Sequence, residues 1–253
     1  MANAEEIGSR RLFLLWDASV VIPHYLPKAT RNGEVAKRAQ IILDAIRHHN
    51  LNALCYIPNI VVAEVFAAFD RECYSGWDPQ IYKKYGKEGK TLHKKTYNKA
   101  REQFRNDIHN GALYYQYDVN RYHILALDLI APVDKYRKFY RTKQVKSMGA
   151  SDLLIGAMAV HLSKIHGKDN FLLLTADRRM DAIFSNACPA LNANTAEKLG
   201  LKSAAKRFGF GKWSPDIYPR VLDLQRVKES KLKEYFGSWP LNVRKTRGEV
   251  PKA

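Results

Sequence analysis

The stretch RLFLLWDASVVIPHYL, residues 11–26, decides the fold class of this chain. Its apolar run at residues 12–16 does not alternate with polar residues, which predicts a strand buried on both faces in a parallel sheet. Asp17 follows the run directly. Open α/β sheets bind ligands at the carboxyl ends of their strands, so Asp17 is a candidate binding residue. An aspartate at this position equally suits the cap of a following helix, and both interpretations stay open here.

Two further acids follow predicted strands in the same way. Residues 53–58 (ALCYIP) are predicted to form a strand, and the helix after it, NIVVAEVFAAF, carries Glu64. Residues 171–174 (FLLL) are predicted to form another strand, which runs into Thr175 and Asp177. Carboxyl ends of parallel strands share one edge of a sheet, so we expect these acids near Asp17.

A fourth acid, Asp152, lies at the start of the apolar segment SDLLIGAMAVHL, which predicts a helix capped by Ser151. The dipole of a helix stabilises an acid in its first turn, and this alone is a sufficient explanation of Asp152. The apolar spacing also predicts a helix over residues 33–49, as in a β-α-β unit with a right-handed crossover. Residues 123–130 (HILALDLI) are predicted to form a short strand, with Asp128 at its end.

Four carboxylates in apolar sequence need a positive partner, because burying an anion is costly and gathered anions raise one another's pKa. The four acids are Asp17, Glu64, Asp152 and Asp177. A hard divalent cation, Mg²⁺ or Mn²⁺, is the partner that such oxygen ligands favour. The hydroxyls of Ser19 and Thr175 are expected to hydrogen-bond a ligand carboxylate or a metal-bound water. Asp181, one turn after Asp177, is either a water-mediated contact or a surface residue.

The segments that carry these acids resemble the PIN (PilT N-terminus) domain, a family of metal-dependent nucleases. The similar segments are LLWDASVVI, VVAEVFAAF, ASDLLIGAMAV and LLLTADRRMDAI, and ACPALNANTAEKLG resembles the family's last strand and its exit. The similarity covers residues 11–70 and 123–200. It implies a three-layer α/β/α sandwich with a central parallel sheet, a nuclease domain over residues 11–200, and the four acids as catalytic metal ligands.

The composition predicts a polyanionic partner. Lys and Arg number 42 against 25 Asp and Glu, giving a formal net charge of +17, which favours nucleic acid first and an anionic membrane surface second. Three cysteines without CxxC spacing argue against a zinc site or a disulfide framework. Because no stretch reaches the roughly 18 apolar residues of a membrane span, we expect a cytoplasmic protein.

Two segments are predicted to lie outside the core. Residues 70–121, rich in Lys, Arg and Tyr, are expected to form a basic helical insertion beyond the sheet. Its charges are either a solvated face or a surface that neutralises and stacks on nucleic acid. Residues 201–253 are expected to form a basic C-terminal extension with an amphipathic helix over 220–236 and a frayed end from Asn242. The candidate nucleic-acid-binding residues are Lys94, Lys95, Lys143, Lys146, Arg178 and Arg179, the last two being surface charges in the alternative interpretation.

The function that these features favour is a Mg²⁺- or Mn²⁺-dependent endoribonuclease. The PIN resemblance includes the toxin of a toxin–antitoxin pair, often a homodimer silenced by a partner protein, as well as RNA-processing and antiviral defence nucleases. A structure-specific DNA nuclease is an alternative, because the acids do not distinguish ribose from deoxyribose. A nucleic-acid-binding protein without catalysis, built on the same scaffold, is another.

Overall fold

A parallel five-stranded sheet with strand order β3-β2-β1-β4-β5 organises the computed structural model, which describes residues 11–26, 32–74, 94–109, 111, 113–140 and 146–241. The strands are β1 (Leu12–Trp16), β2 (Ala53–Pro58), β3 (Tyr114–Tyr117), β4 (Phe171–Thr175) and β5 (Arg220–Asp223). The larger helices are α1 (Ala18–Tyr25), α2 (Gly33–Arg47), α3 (Asn59–Tyr74), α4 (Lys94–His109), α5 (Arg121–Tyr140) and α6 (Ala150–His166). After β4 come α7 (Arg178–Asp181), a π-helical turn (Ala182–Ala187), α8 (Ala193–Lys198), α9 (Leu201–Phe208), a 3-10 turn (Pro215–Ile217) and α10 (Glu229–Phe236). The predicted α/β/α sandwich is confirmed.

The central position of β1 explains its apolar sequence. Leu14 pairs with Cys55 of β2 on one side and with Leu172 of β4 on the other. Leu14, Leu15 and Trp16 are completely buried, since helices cover both faces of the sheet. The predicted strands at 53–58 and 171–174 are confirmed, with β4 extended by one residue to Thr175, and the helix predicted at 33–49 is α2.

The direction in which strands are added reverses beside β1. From β1 the chain adds β2 and then β3 on one side, then returns across the sheet to add β4 and β5 on the other. The carboxyl ends of β1 and β4 therefore flank a topological switch point, where the connections leave in opposite directions and open a crevice. Asp17 follows β1 at this crevice, and Asp177 lies two residues after β4.

The basic segment predicted to lie beyond the sheet instead belongs to it. A helix is confirmed at α4, but β3 pairs with β2 and forms one edge of the sheet. Phe104 of α4 is completely buried and packs its ring 5.8 Å from that of Phe69 and 6.5 Å from that of Tyr114. The placement outside the core is therefore wrong for the described residues 94–121. Another part of the predicted insertion, residues 75–93, lies outside the described residues.

Residues 123–130 form part of helix α5 and not the predicted strand. Their buried members are His123, Ala126, Leu129 and Ile130, spaced three and four apart as on one face of a helix. Ile124 is 56% exposed, so the apolar run that suggested a strand includes a residue on the solvent face. Asp128, expected at a strand end, is an exposed residue of α5 that pairs with Arg207 at 2.7 Å.

The C-terminal residues also differ from the prediction. Strand β5 pairs with β4, so the part of the chain described up to residue 241 completes the sheet and is not an extension. Of the amphipathic helix predicted over 220–236, only Glu229–Phe236 is helical. The segment similar to a last strand, residues 187–200, contains helix α8 and no strand. The end from Asn242, expected to be frayed, lies outside the described residues.

Among the described helices, none has the length and apolar character that crossing a membrane requires.

Replacing Phe104 with Ala tests whether α4 is part of the core. The change leaves a cavity among Phe66, Phe69 and Tyr25, so we expect a loss of about 3–5 kcal/mol in the free energy of unfolding, measured by urea denaturation. Lys99→Ala on the exposed side of the same helix is the control. It should change the free energy of unfolding by less than about 0.5 kcal/mol. Equal effects of the two variants would mean that α4 is a detachable addition.

Candidate functional site

Three of the four predicted acids converge at the switch point. Asp17 ends β1, Asp177 follows the neighbouring β4, and Asp152 is the third residue of α6. The negative charges of Asp152 and Asp177 both act on Asp17 and raise its pKa. Asp17 is 4% exposed, and the other two carboxylates are partly buried. The structure therefore forms one anionic cluster from residues 17, 152 and 177.

Two hydroxyl groups hold the Asp17 carboxylate. Ser19 Oγ donates to Asp17 Oδ2 at 2.5 Å, and Thr175 Oγ1 donates to the same oxygen at 2.8 Å. Each hydroxyl also accepts a backbone N–H, Ser19 from Ala176 at 2.8 Å and Thr175 from Asp177 at 2.9 Å. Because each hydroxyl oxygen accepts a backbone N–H, its single proton is free to point at Asp17. Asp17 therefore receives one proton from Ser19 and one from Thr175. Ser19 and Thr175 thus contact the predicted ligand as expected.

The protonation of Asp17 reflects two opposing effects. The pKa of Asp17 is raised from 3.8 to about 6 as the net result of several causes. Burial raises it most, the hydrogen bonds from Ser19 and Thr175 lower it, and the charges of Asp152 and Asp177 raise it. The hydroxyl donors stabilise an ionised carboxylate, while burial and the like charges oppose it. A cation in the cluster would resolve this conflict in favour of the ionised form.

Arg179 supplies positive charge to the other two acids. Its Nη2 lies 2.9 Å from Asp152 Oδ2 and 2.5 Å from Asp177 Oδ2, so one nitrogen bridges two carboxylates. Its Nε and its backbone N–H also donate to Asp177, and Nη1 donates to the carbonyl of Ser147 at 3.4 Å. Burial alone would raise the pKa of Asp177, but these hydrogen bonds and the guanidinium charge hold it below its ordinary value.

The donor chemistry of the cluster fits a hard divalent cation. Three carboxylates with hydroxyl support are an oxygen donor set of the kind that Mg²⁺ and Mn²⁺ favour. Within the described ranges, no three acidic, histidine or cysteine side chains are already arranged around a common ion position. The guanidinium of Arg179 lies between Asp152 and Asp177 and holds their oxygens. A metal at this position would take ligands that Arg179 now contacts.

A buried ion pair supports the segment that leads to Asp152. Asp134 and Arg137, both 4% exposed, pair at 3.0 Å on α5. Asp134 Oδ2 accepts the backbone N–H of Met148 at 3.0 Å, and Arg137 donates to the carbonyl of Lys146 at 3.3 Å. These contacts fix the backbone just before α6, and the guanidinium of Arg137 also helps to lower the pKa of Asp177.

The cap of helix α6 differs from the prediction. Gly149, and not Ser151, is the N-cap residue, since the helix begins at Ala150. Asp152 Oδ2 accepts the backbone N–H of Gly149 at 3.0 Å. The capping role foreseen for Asp152 is therefore present, and the same oxygen also contacts Arg179.

Among the described residues, no hydrogen bond or ion pair joins the side chain of Glu64 or Asp181 to the cluster. Glu64 is half-buried on α3 and makes no hydrogen bond or ion pair with any residue that the structure describes. Asp181 accepts a hydrogen bond from Ser185 at 2.8 Å, as a residue of the helix surface does. The exposed predicted nucleic-acid contacts are Lys95, Lys146 and Arg178. Lys143 lies outside the described residues, as does the side chain of Lys94.

Sequence reasoning missed a further acid at the same edge of the sheet. Asp223 ends β5, is 6% exposed, and lies 2.6 Å from Arg226. An apolar strand that ends in aspartate, as in LLWD, was the signal for Asp17, and RVLD carries the same signal. Its ion pair with Arg226 already compensates its charge. The bridging role of Arg179 has no comparable signal, because its partner Asp152 is distant in sequence.

A second polar cluster, also missed, joins β3, α5 and α6. The hydroxyl of Tyr117 lies 2.8 Å from His161 Nδ1 and 3.1 Å from His123 Nε2. The backbone N–H of Asn120 donates to His123 Nδ1 at 2.9 Å, so the proton of the neutral ring is on Nε2, which cannot then bind a metal. Burial lowers the pKa of His123 to about 4 and keeps it neutral near pH 7. The cluster is a structural hydrogen-bond network.

Replacing Asp17 with Asn should stabilise the metal-free protein. Between pH 3.8 and about 6, folded Asp17 retains a proton that the unfolded chain has lost, so its contribution to stability falls as pH rises. The difference between the folded and unfolded pKa of Asp17 corresponds to about 3 kcal/mol in the free energy of unfolding. Asp17→Asn should raise the free energy of unfolding at pH 7.5 by up to that amount. Urea unfolding in EDTA from pH 4.5 to 7.5 measures it. Asp216→Asn is the control, because the side chain of Asp216 is 88% exposed. An Asp17→Asn protein that is less stable than wild type at pH 7.5 would contradict the expectation.

Comparisons with protein-family models, with curated proteins and with solved structures found no match to this chain. The resemblance to PIN nucleases therefore stays a prediction based on its motifs.

Proposed function

We propose that this chain is a Mg²⁺- or Mn²⁺-dependent endonuclease that hydrolyses phosphodiester bonds, with RNA as its substrate. The observation that carries the proposal is the convergence of Asp17, Asp152 and Asp177 at the switch point of a parallel sheet. These are three of the four acids for which the PIN resemblance implies metal binding. RNA is preferred over DNA on the strength of that resemblance.

In the proposed reaction, the residues of the chain hold the ligands in place and balance charge. Ser19 and Thr175 fix Asp17 with both hydroxyl protons, so that this carboxylate stays oriented and ionised when a cation is bound. A bound Mg²⁺ or Mn²⁺ would supply an acidified water as nucleophile and neutralise charge on the phosphate and the leaving oxygen. The chain's net charge of +17 provides the attraction for the polyanion that the acids alone would repel.

A basic cleft beside the edge strand β3 supports a nucleic-acid substrate. Helices α3 and α4 and strand β3 enclose about 580 Å³, lined by Phe66, Arg101, Arg105, His109 and Gln116 among others. The guanidinium carbons of Arg101 and Arg105 each lie 5.8 Å from the centre of the Phe66 ring.

Among the described residues that line this cleft, Asp70 is the acid, and its Oδ1 accepts a hydrogen bond from the Tyr97 hydroxyl at 2.6 Å. Arg101 donates to the same hydroxyl at 3.1 Å, and Arg105 is exposed. Guanidinium groups beside an aromatic ring suit the phosphates and bases of a single strand.

One observation favours a second candidate function, a nucleic-acid-binding protein without catalysis. Arg179 already compensates Asp152 and Asp177, as a permanent counter-charge would in a scaffold that has no metal. The basic cleft would serve this function equally. Cleavage, and not binding, separates the two candidates.

The test of the proposed function is cleavage of matched single-stranded RNA and DNA oligonucleotides with Mn²⁺, followed by addition of EDTA. We expect RNA to be cut and EDTA to stop the reaction. Asp17→Asn should lower the rate by more than about 100-fold, and Ser19→Ala by about 10- to 100-fold, because loss of a residue that orients a ligand costs less than loss of the ligand. RNA affinity in EDTA should change little in either variant. Binding without cleavage would support the scaffold function, and cleavage of DNA alone would overturn the choice of substrate.

Replacing Arg105 with Ala tests the cleft as a nucleic-acid surface. We expect RNA affinity, measured by fluorescence anisotropy in EDTA, to fall several-fold, and the slope of log affinity against log salt to lose about 0.7, as for one phosphate contact on a single strand. Lys99→Ala removes the same charge from the exposed side of α4 and controls for the general field. If both variants weaken binding equally, the cleft has no particular role.

A further inference from the structure

The contacts of Arg179 place a cation of the protein's own inside the predicted metal cluster. One nitrogen, Nη2, lies within ion-pair distance of Asp152 and of Asp177. Nε contacts both oxygens of Asp177, at 3.1 and 3.0 Å. The positive charge also acts on Asp17. A single guanidinium therefore interacts with all three acids of the cluster.

Arg179 is attached only loosely outside the cluster. Its side chain is 36% exposed, and the one hydrogen bond that it makes to a described residue outside the cluster, the carbonyl of Ser147, is long at 3.4 Å. It belongs to α7, a helix of four residues that Asp177 itself caps by accepting the Arg179 backbone N–H at 2.7 Å. This backbone contact keeps the residue next to the acids even when its side chain rotates away. The guanidinium can thus leave the carboxylates without unfolding the segment that carries it.

Metal and guanidinium compete for the same carboxylate oxygens. An oxygen of a carboxylate has about two lone pairs, and three oxygens of the cluster already accept two N–H groups each. Asp152 Oδ2 accepts from the backbone of Gly149 and from Arg179 Nη2, and both oxygens of Asp177 accept two N–H groups of Arg179. A metal ion and a guanidinium this close together would also repel each other. Binding of a metal at these oxygens therefore requires displacement of the guanidinium.

We infer that Arg179 is an internal competitor for the divalent metal: its guanidinium holds Asp152 and Asp177 in the metal-free protein and is displaced when the ion binds. This inference rests on the metal-binding part of the proposed function. It assigns Arg179 a role different from the surface charge or phosphate contact that its sequence suggests. The protein keeps its acids assembled without metal, at the cost of weaker affinity for it.

The direction of change in metal affinity distinguishes competition from a merely structural role. If Arg179 only held the acids in place, its removal would loosen the cluster and weaken metal binding. If it competes, removal frees the ligand oxygens, and binding becomes tighter. The two roles predict opposite signs for one measured quantity.

The experiment is titration of full-length protein with Mn²⁺ alone, without RNA, followed by isothermal calorimetry. We expect Arg179→Ala to bind Mn²⁺ at least about 10-fold more tightly than wild type, in line with the coupling of close charge pairs. Arg178→Ala removes the exposed neighbouring charge and should match wild type. Unchanged or weaker binding by Arg179→Ala overturns the inference, as does a lack of Mn²⁺ binding by both proteins.

A second measurement needs no destabilising substitution. In ¹⁵N spectra of the arginine Nε–H groups of wild-type protein, saturation with Mg²⁺ should shift the Arg179 signal and leave that of Arg178 in place. An Arg179 signal that does not move at saturation overturns the inference. Neither measurement reads cleavage, so a failure of the proposed nuclease activity and a failure of the competition are seen separately.

Discussion

Repulsion among carboxylates is the constraint on which the site depends. The reversal of strand addition beside β1 brings Asp17 and Asp177 to one crevice, and α6 adds Asp152. Such a group persists only when donors or cations compensate it. The chain uses both kinds of compensation, since two hydroxyls fix Asp17 while Arg179 neutralises the other pair. Asp17 is thus held by neutral hydroxyls, while the other two acids are paired with a positive charge. Burial therefore raises the pKa of Asp17.

The elements that could be predicted from the sequence are those whose burial produces an uninterrupted run of apolar residues. Strands β1, β2 and β4 occupy the middle of the sheet, where both faces are covered, and their apolar runs are unmistakable. The two edge strands are four residues long and contain polar residues, YYQY and RVLD, so they lack that signal. Helix α5 was mistaken for a strand because the exposed Ile124 continues its apolar run. Tertiary packing, and not local preference, decided these three elements.

The candidate site was predictable to the same extent and for the same reason. Asp17, Asp152 and Asp177 each follow a strand end or begin a helix, where topology, once the strands are known, brings them together. Glu64 has a similar sequence context, but it makes no contact with the other acids in the part of the chain described. The ion pairs of Arg179 and the histidine network around Tyr117 depend on residues distant in sequence, and no spacing rule shows which distant partners meet.

The distribution of the acids along the chain has a consequence for biosynthesis. Asp17 leaves the ribosome before its two companions, which lie beyond residue 150. The hydroxyl of Thr175 that orients Asp17 comes from β4. Since β4 must insert beside β1 before these groups meet, a nascent chain that ends anywhere before it has no assembled cluster. Whatever chemistry the acids support is therefore withheld from truncated and unfinished copies.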